Sequence, residues 1–310
     1  MILLAGGTGR LGRELAAILE ARGVVFRVLT RDTEAARKLM GPGIDAVQGD
    51  ARVPAQLEPA LAGTDTVISA LTGFGLGRPG PEAVDFNANL NLVRAAEAAG
   101  VRRFVLLSMR GAAADHPMRL LRMKHRAEQA LRQTGLEWIV VRPTVFAELW
   151  AGIIGDPIVR SGKATIFGRG DNPINFVSVR DLAAVTVELT LNAEPRLVVE
   201  AGGPENLTLR QVVDRVAEAA GRTARARQIP VSALRGAGVL LRPLRPDVTG
   251  FVEAAISMAT TDMSCTADGL ALSLPGLQPT PMSEVIRRKF APNPRTAEAG
   301  VPEISQASHV

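Results

Sequence analysis

The run from Ile2 to Gly12 constrains the fold of this chain more than any other stretch. Four apolar residues, Ile2–Ala5, lead straight into Gly6-Gly7-Thr8-Gly9-Arg10-Leu11-Gly12. The apolar run predicts a short buried strand, and Leu11, Leu15, Ile18 and Leu19 share one face of a following helix that Gly23 ends. Glycine permits a tight turn and a close approach to the backbone, and a helix start presents free N–H groups to an anion. Strand, glycine turn and amphipathic helix in this order open a βαβ unit. In that context a glycine pattern reads as a dinucleotide phosphate loop. It fits as Gly6-x-x-Gly9-x-x-Gly12 or as Gly7-x-Gly9-x-x-Gly12. The expected phosphate-binding residues are Gly6, Thr8, Gly9, Arg10, Leu11 and Gly12.

The pattern repeats through the first half. Strands are predicted at Val24–Leu29, Ile44–Val47, Thr66–Ala70, Arg103–Ser108 and Leu136–Val141. Helices are predicted from Asp32 or Thr33 to Met40, over Pro54–Leu61 and Glu82–Ala99, and from Met118 to Thr134. Such alternation predicts an α/β fold, a doubly wound parallel sheet with helices on both faces and ligands at the carboxyl ends of the strands. Beyond Pro143 the pattern loosens. We expect residues 1–150 to form the dinucleotide-binding domain, with 174–200 adding to its sheet. Residues 151–290 are expected to form a smaller, interleaved substrate region, and 291–310, rich in Pro, Ala and Ser, a mobile tail.

Composition narrows the chemistry. The single cysteine, Cys265, and three scattered histidines provide no disulfide framework and no metal cluster. Strand-like residues from Ile2 and the lack of a long apolar run predict a cytoplasmic protein without a membrane span. The net charge of +5 is carried almost wholly by arginine, since lysine occurs only at 38, 124, 163 and 289. The arginines are not interleaved with aromatic residues, so no stacking platform for nucleic acid is predicted.

The residue at the end of the second strand selects the dinucleotide. An acid there accepts from a free ribose 2′-hydroxyl, whereas an arginine fork suits a 2′-phosphate. This chain places Arg31 there, followed by Asp32, which favours NADP(H) over NAD(H). Asp50, after the third strand, can meet the adenine amino group or cap the next helix. Ala70, at the end of the fourth strand, completes this side of the expected cofactor site.

Taken together, Gly6–Gly12, Gly49-Asp50, Asn89-Leu90 with Ala95-Ala96, Arg103-Phe104-Val105 ending in Ser108, and Arg142-Pro143 resemble the NmrA-like group of atypical short-chain dehydrogenases/reductases. The likeness continues through Phe176-Val177-Ser178-Val179-Arg180-Asp181 and Gly202-Gly203-Pro204, so it spans roughly residues 1–290. It implies a Rossmann-type domain, a small C-terminal substrate domain and bound NADP(H). The reactions of such proteins range from quinone, imine and dye reduction to non-catalytic redox sensing.

Ordinary members of the superfamily use a Tyr-x-x-x-Lys pair, whose tyrosine protonates the product oxygen. This chain contains no tyrosine; Lys124 matches the lysine, and Leu120 stands where the tyrosine would be. By resemblance Lys124 holds the nicotinamide ribose and is a candidate proton donor; otherwise it forms a surface pair with Glu128. Ser108 can bond a substrate oxygen or cap its strand. Pro143 and Thr144 match the segment lining the nicotinamide, and Phe74, Phe146 and Trp150 are expected near the substrate. The leading expectation is an NADPH-dependent reductase of a flat quinone or enone, acting on a small molecule. The alternative is an NADP(H)-occupied sensor or assembly protein with a protein partner. A homodimer stays open.

Overall fold

The computed structural model describes residues 1–241 and 244–291, so nearly all of the expected tail lies outside the described residues. The first half runs β1 (Ile2–Ala5), α1 (Arg10–Ala21), β2 (Phe26–Thr30), α2 (Thr33–Met40), β3 (Ala46–Gln48), a 3-10 turn, α3 (Glu58–Leu61) and β4 (Thr66–Ser69). A π-wound segment, Glu82–Ala88, then leads into α4 (Asn89–Ala98), β5 (Arg103–Leu107), α5 (Arg119–Arg132) and β6 (Glu137–Pro143). The second half comprises β7 (Val145–Phe146), α6 (Ala147–Ser161), β8 (Lys163–Phe167), β9 (Ile174–Val177), α7 (Val179–Asn192) and β10 (Leu197–Ala201). It ends with β11 (Asn206–Leu207), α8 (Leu209–Ala219), β12 (Arg225–Ile229), α9 (Val231–Leu241), α10 (Pro246–Thr260), α11 (Asp268–Ser273) and α12 (Met282–Phe290).

Seven parallel strands form the main sheet in the order β10-β6-β5-β4-β1-β2-β3. The order reverses between β1 and β4, which places a ligand crevice at their carboxyl ends. Strand side chains alternate between the faces. Leu4, Val28, Val105 and Ile139 pack on α1 and α7. Leu3, Leu29, Phe104 and Val140 pack on α4 and α5 through Leu92, Ala96, Ala127 and Leu131. A third core, under α6, α8, α10 and α12, holds Trp150, Ile154, Phe176, Val212 and Met258.

Two expectations are corrected. Residues 174–177 do not extend the main sheet; β9 pairs with β7 and β11 instead, and only β10 joins β6. The reason is Asn175, fully buried, whose side chain binds Thr144 and both backbone groups of Gly203 and so pins β9 beneath the exit of β6. The helix expected over 82–99 is π-wound in its first turns. There Asn89 Nδ2 donates to the carbonyls of Val84 and Asp85, which the wide turn leaves available.

Glu205 links α8 to α12 by accepting from Arg215 at 2.8 Å and from the Ser283 N–H at 3.0 Å. Burial pushes this carboxyl up, but the Ser283 and Arg215 bonds outweigh it and hold it below the ordinary range. A depressed carboxyl adds stability above its unfolded pKa of about 4.3 and loses it as pH falls through the folded value. Glu205→Gln should therefore melt below wild type at pH 7, and the gap should narrow as the melts are taken below the unfolded value of about 4.3.

Candidate cofactor and active site

The glycine loop closes on itself by backbone contact. Gly6 has φ +86°, and a Cβ there would lie 2.7 Å from the carbonyl oxygen of Ala70 at the end of β4. A Cβ on Gly12 would collide with the Gly6 carbonyl, and one on Gly7 with Val28. These three glycines are required by packing. Gly9 differs: its φ is −73°, and a Cβ would meet only the Gly6 carbonyl oxygen, at 3.2 Å. The space over Gly9 is left open by the protein and is available to a ligand.

Gly9 is also the N-cap of α1 and provides no side chain to cap it. Its own N–H bonds Gly6, and the Arg13 N–H bonds Gly9. Among the described residues the N–H groups of Arg10, Leu11 and Gly12 have no protein acceptor. By contrast α2 is capped by Asp32 and α8 by a reciprocal Thr208–Gln211 box. The open end of α1 thus combines three free donors with the positive end of the helix dipole, and the residues present fit a dinucleotide pyrophosphate.

At the end of β2, Asp32 Oδ1 accepts the Ala35 N–H at 2.9 Å, so the acid that complicated the cofactor choice is engaged as a helix cap. Arg31 is exposed and makes no ion pair among the described residues. Asp50 caps no helix. Arg52 grips its carboxylate, Nη2 to Oδ2 at 2.5 Å and Nε to Oδ1 at 3.0 Å, and holds it below the usual carboxylate range, with Arg31 adding to the effect. Arginine charge therefore prevails at this end.

The other end of the crevice is built on buried charge. Lys124 and Asp85 are almost wholly enclosed, with Nζ 3.0 Å from Asp85 Oδ1. Lys124 also donates to the carbonyls of Leu71 at 3.0 Å and Leu107 at 2.8 Å. The two carbonyls take its hydrogen bonds, whereas Asp85 Oδ1 is met only as an ion pair and accepts no hydrogen bond among the described residues. Asp85 Oδ2 accepts the Gly73 N–H at 2.8 Å, which completes a tie between the loop after β4, the end of β5 and the π-wound turn. The surface pair with Glu128 is not formed. Glu128 is fully buried; it accepts from Arg142 at 2.9 and 2.6 Å and from the hydroxyl of Ser108. The Ser108 proton is thus directed into the protein. Leu120 is buried among Met118, Val145 and Trp150 in the third core.

The remaining expected residues are dispersed. The Pro143 carbonyl accepts the Arg110 N–H, and the Thr144 hydroxyl, buried, donates to Asn175 at 2.8 Å. Thr8 is half-buried at the loop. Phe74 stacks obliquely on Phe251 of α10, with ring centroids 4.7 Å apart. Phe146 is half-buried against the α1–α7 core. Trp150 is 4% exposed and packs within the third core. A cleft of about 600 Å³ does exist, but it follows the free edge of β10, away from the glycine loop.

Asp85 and the Glu128–Arg142 pair were not anticipated from the sequence. Asp85 and Asn89 share helical spacing with Leu92 and Ala96, so two polar residues in line with an apolar stripe were the available signal.

A doubly wound sheet whose first helix begins uncapped at a glycine turn, beside a lone arginine, defines a Rossmann-type dinucleotide-binding protein. Residues 6–194 match the model of a family described as NAD(P)H-binding, so the chain belongs to that family. It is 31% identical over 226 residues to the NAD(P)H azoreductase of Xenophilus azovorans, covering 73% of this chain and 76% of that protein. It is 34% identical over 262 residues to a (4-alkanoyl-5-oxo-2,5-dihydrofuran-3-yl)methyl phosphate reductase of Streptomyces griseus, covering 82% and 86%. It is also 29% identical to the photosystem II assembly factor Ycf39 of Synechocystis, over 76% and 72%. No helix among the described residues is long and apolar enough to cross a membrane.

Proposed function

We propose that this chain is an NADPH-dependent reductase of flat, conjugated small molecules. The observation that carries the reading is the open N-terminus of α1 beside the uncommitted Arg31, joined to a crevice without a tyrosine. The N–H groups of Arg10, Leu11 and Gly12 hold the pyrophosphate, and Arg31 takes the 2′-phosphate with its fork. Bound cofactor supplies a hydride. Lys124 and Ser108 act by positioning: Lys124 fixes the Leu71 and Leu107 carbonyls at the nicotinamide end, and Ser108, through Glu128, ties α5 to the end of β5. No tyrosine is present and the Ser108 proton is directed to Glu128, so the chain offers no evident acid for a localised alkoxide. A quinone, enone or azo compound delocalises the added charge and takes its proton from water. The names of the two reductase relatives support this class, since each contains a conjugated group.

The test is NADPH oxidation across quinones, enones and azo dyes, with Arg31→Ala alongside. Loss of a charged hydrogen bond of about 1.5–3 kcal/mol should weaken NADPH binding roughly 10- to 100-fold and leave NADH within about twofold. Equal losses for both cofactors would reject the role of Arg31. Tight NADPH binding without turnover on any acceptor would favour a binding module, the reading that the Ycf39 likeness supports.

A further inference from the structure

The reductase reading leaves the basic charge of the chain unexplained. Five basic residues gather at one place far in sequence from the glycine loop. Arg160 lies in the last turn of α6, Lys163 and Arg225 begin β8 and β12 side by side in register, Arg227 lies opposite Thr165, and Arg222 precedes β12. All five are exposed, and none makes an ion pair among the described residues. Nearby acids do little to offset them. Asp156 pairs with Lys289 at 3.1 Å, which leaves Glu218, one turn before Arg222.

The backbone at this place is also unpartnered. β12 and β8 form a two-stranded parallel sheet, and Ala164 and Ile166 of β8 are buried, while Arg225 to Gln228 are exposed. The Arg225 N–H bonds Gly162, and the Ile229 carbonyl accepts the Gly168 N–H, so the odd-numbered residues of β12 face β8. By strand alternation the N–H and C=O groups of Ala226 and Gln228 face outward, and among the described residues they have no backbone partner. An uncovered strand edge is a template for another strand.

We propose that the β12 edge receives an extended, acidic segment of a partner protein, added as a further strand. The outward groups of Ala226 and Gln228 provide the main-chain bonds, and Arg225, Arg227 and Lys163 select acidic side chains. A second copy of this chain is disfavoured, because pairing β12 with itself opposes arginine to arginine. Nucleic acid is disfavoured because the face lacks an exposed aromatic; Phe167 packs on the third core.

The test is fluorescence anisotropy of a labelled peptide alternating glutamate and threonine, against its lysine counterpart. The acidic peptide should bind at least about tenfold tighter, and Arg225→Glu/Arg227→Glu should remove that preference. Gln228→Pro deletes an outward N–H without touching the charges or the β8 ladder, and should weaken binding by about tenfold. NADPH binding should be unchanged in both variants, which separates this proposal from the reductase reading. No binding of the acidic peptide would overturn it. So would wild-type affinity in Gln228→Pro, or equal affinity for single-stranded DNA of the same charge, each of which would mark a general anion surface.

Discussion

Lys124→Met should destabilise the chain by about 3–5 kcal/mol in a urea or thermal melt, because it leaves the Asp85 carboxylate buried without its countercharge. Asp85 is 0% exposed, so solvent cannot take over the role of the ammonium. Asp85→Asn should cost a similar amount, by stranding Lys124. The double variant Lys124→Met/Asp85→Asn should recover most of the loss, since removing both charges also removes their desolvation cost. The double variant then separates two roles for Lys124. If the lysine only ties Leu71, Leu107 and Asp85 together, NADPH affinity in the refolded double variant should stay within about threefold of wild type. If it contacts the nicotinamide ribose, affinity should fall by about tenfold, the worth of one charged hydrogen bond. Fluorescence titration of NADPH reads this without turnover.

The second large effect concerns two glycines three positions apart. Gly12→Ala should cost about 3 kcal/mol or more and abolish NADPH binding, because the new methyl meets backbone atoms of Gly6 and Gly7 that no rotamer change can move. Gly9→Ala should leave the melting curve within about 1 kcal/mol of wild type, since its backbone angle suits any residue and Ala is merely a poorer N-cap. Its methyl nevertheless enters the open space above the free N–H groups, so NADPH affinity should drop by at least tenfold, about 1.4 kcal/mol. A Gly9→Ala variant that binds NADPH normally would place the pyrophosphate elsewhere.

Much of this site was legible in advance because its signals are local. The glycine loop, its strand and its helix are neighbours in sequence, and Arg31 follows directly from the length of the second strand. The side chains around Lys124 were not legible in this way. Its oxygen partners come from the loop after β4, the end of β5 and a π-wound turn, and nothing in the spacing of Lys124 and Glu128 distinguishes a surface pair from two separate buried ones. Asp32 presents the same ambiguity, since an acid beside Arg31 reads equally as a ribose ligand and as a cap until the backbone is seen. Whether Trp150 is buried was not legible either, because an aromatic after a strand end packs inward or outward according to what covers it, and here it packs into the third core.

The sequence by itself determined the alternation that makes a parallel sheet, the ligand class named by Gly6–Gly12 and Arg31, and the absence of a tyrosine acid. These follow from residue type and short spacing, which act within one βαβ unit or by composition alone. Only the tertiary structure decided that Lys124 balances Asp85, that Glu128 balances Arg142, and that Gly9, unlike Gly6, Gly7 and Gly12, leaves room for a ligand. Those outcomes depend on desolvation, which is set by how strands and helices distant in sequence enclose a charge or leave it to solvent.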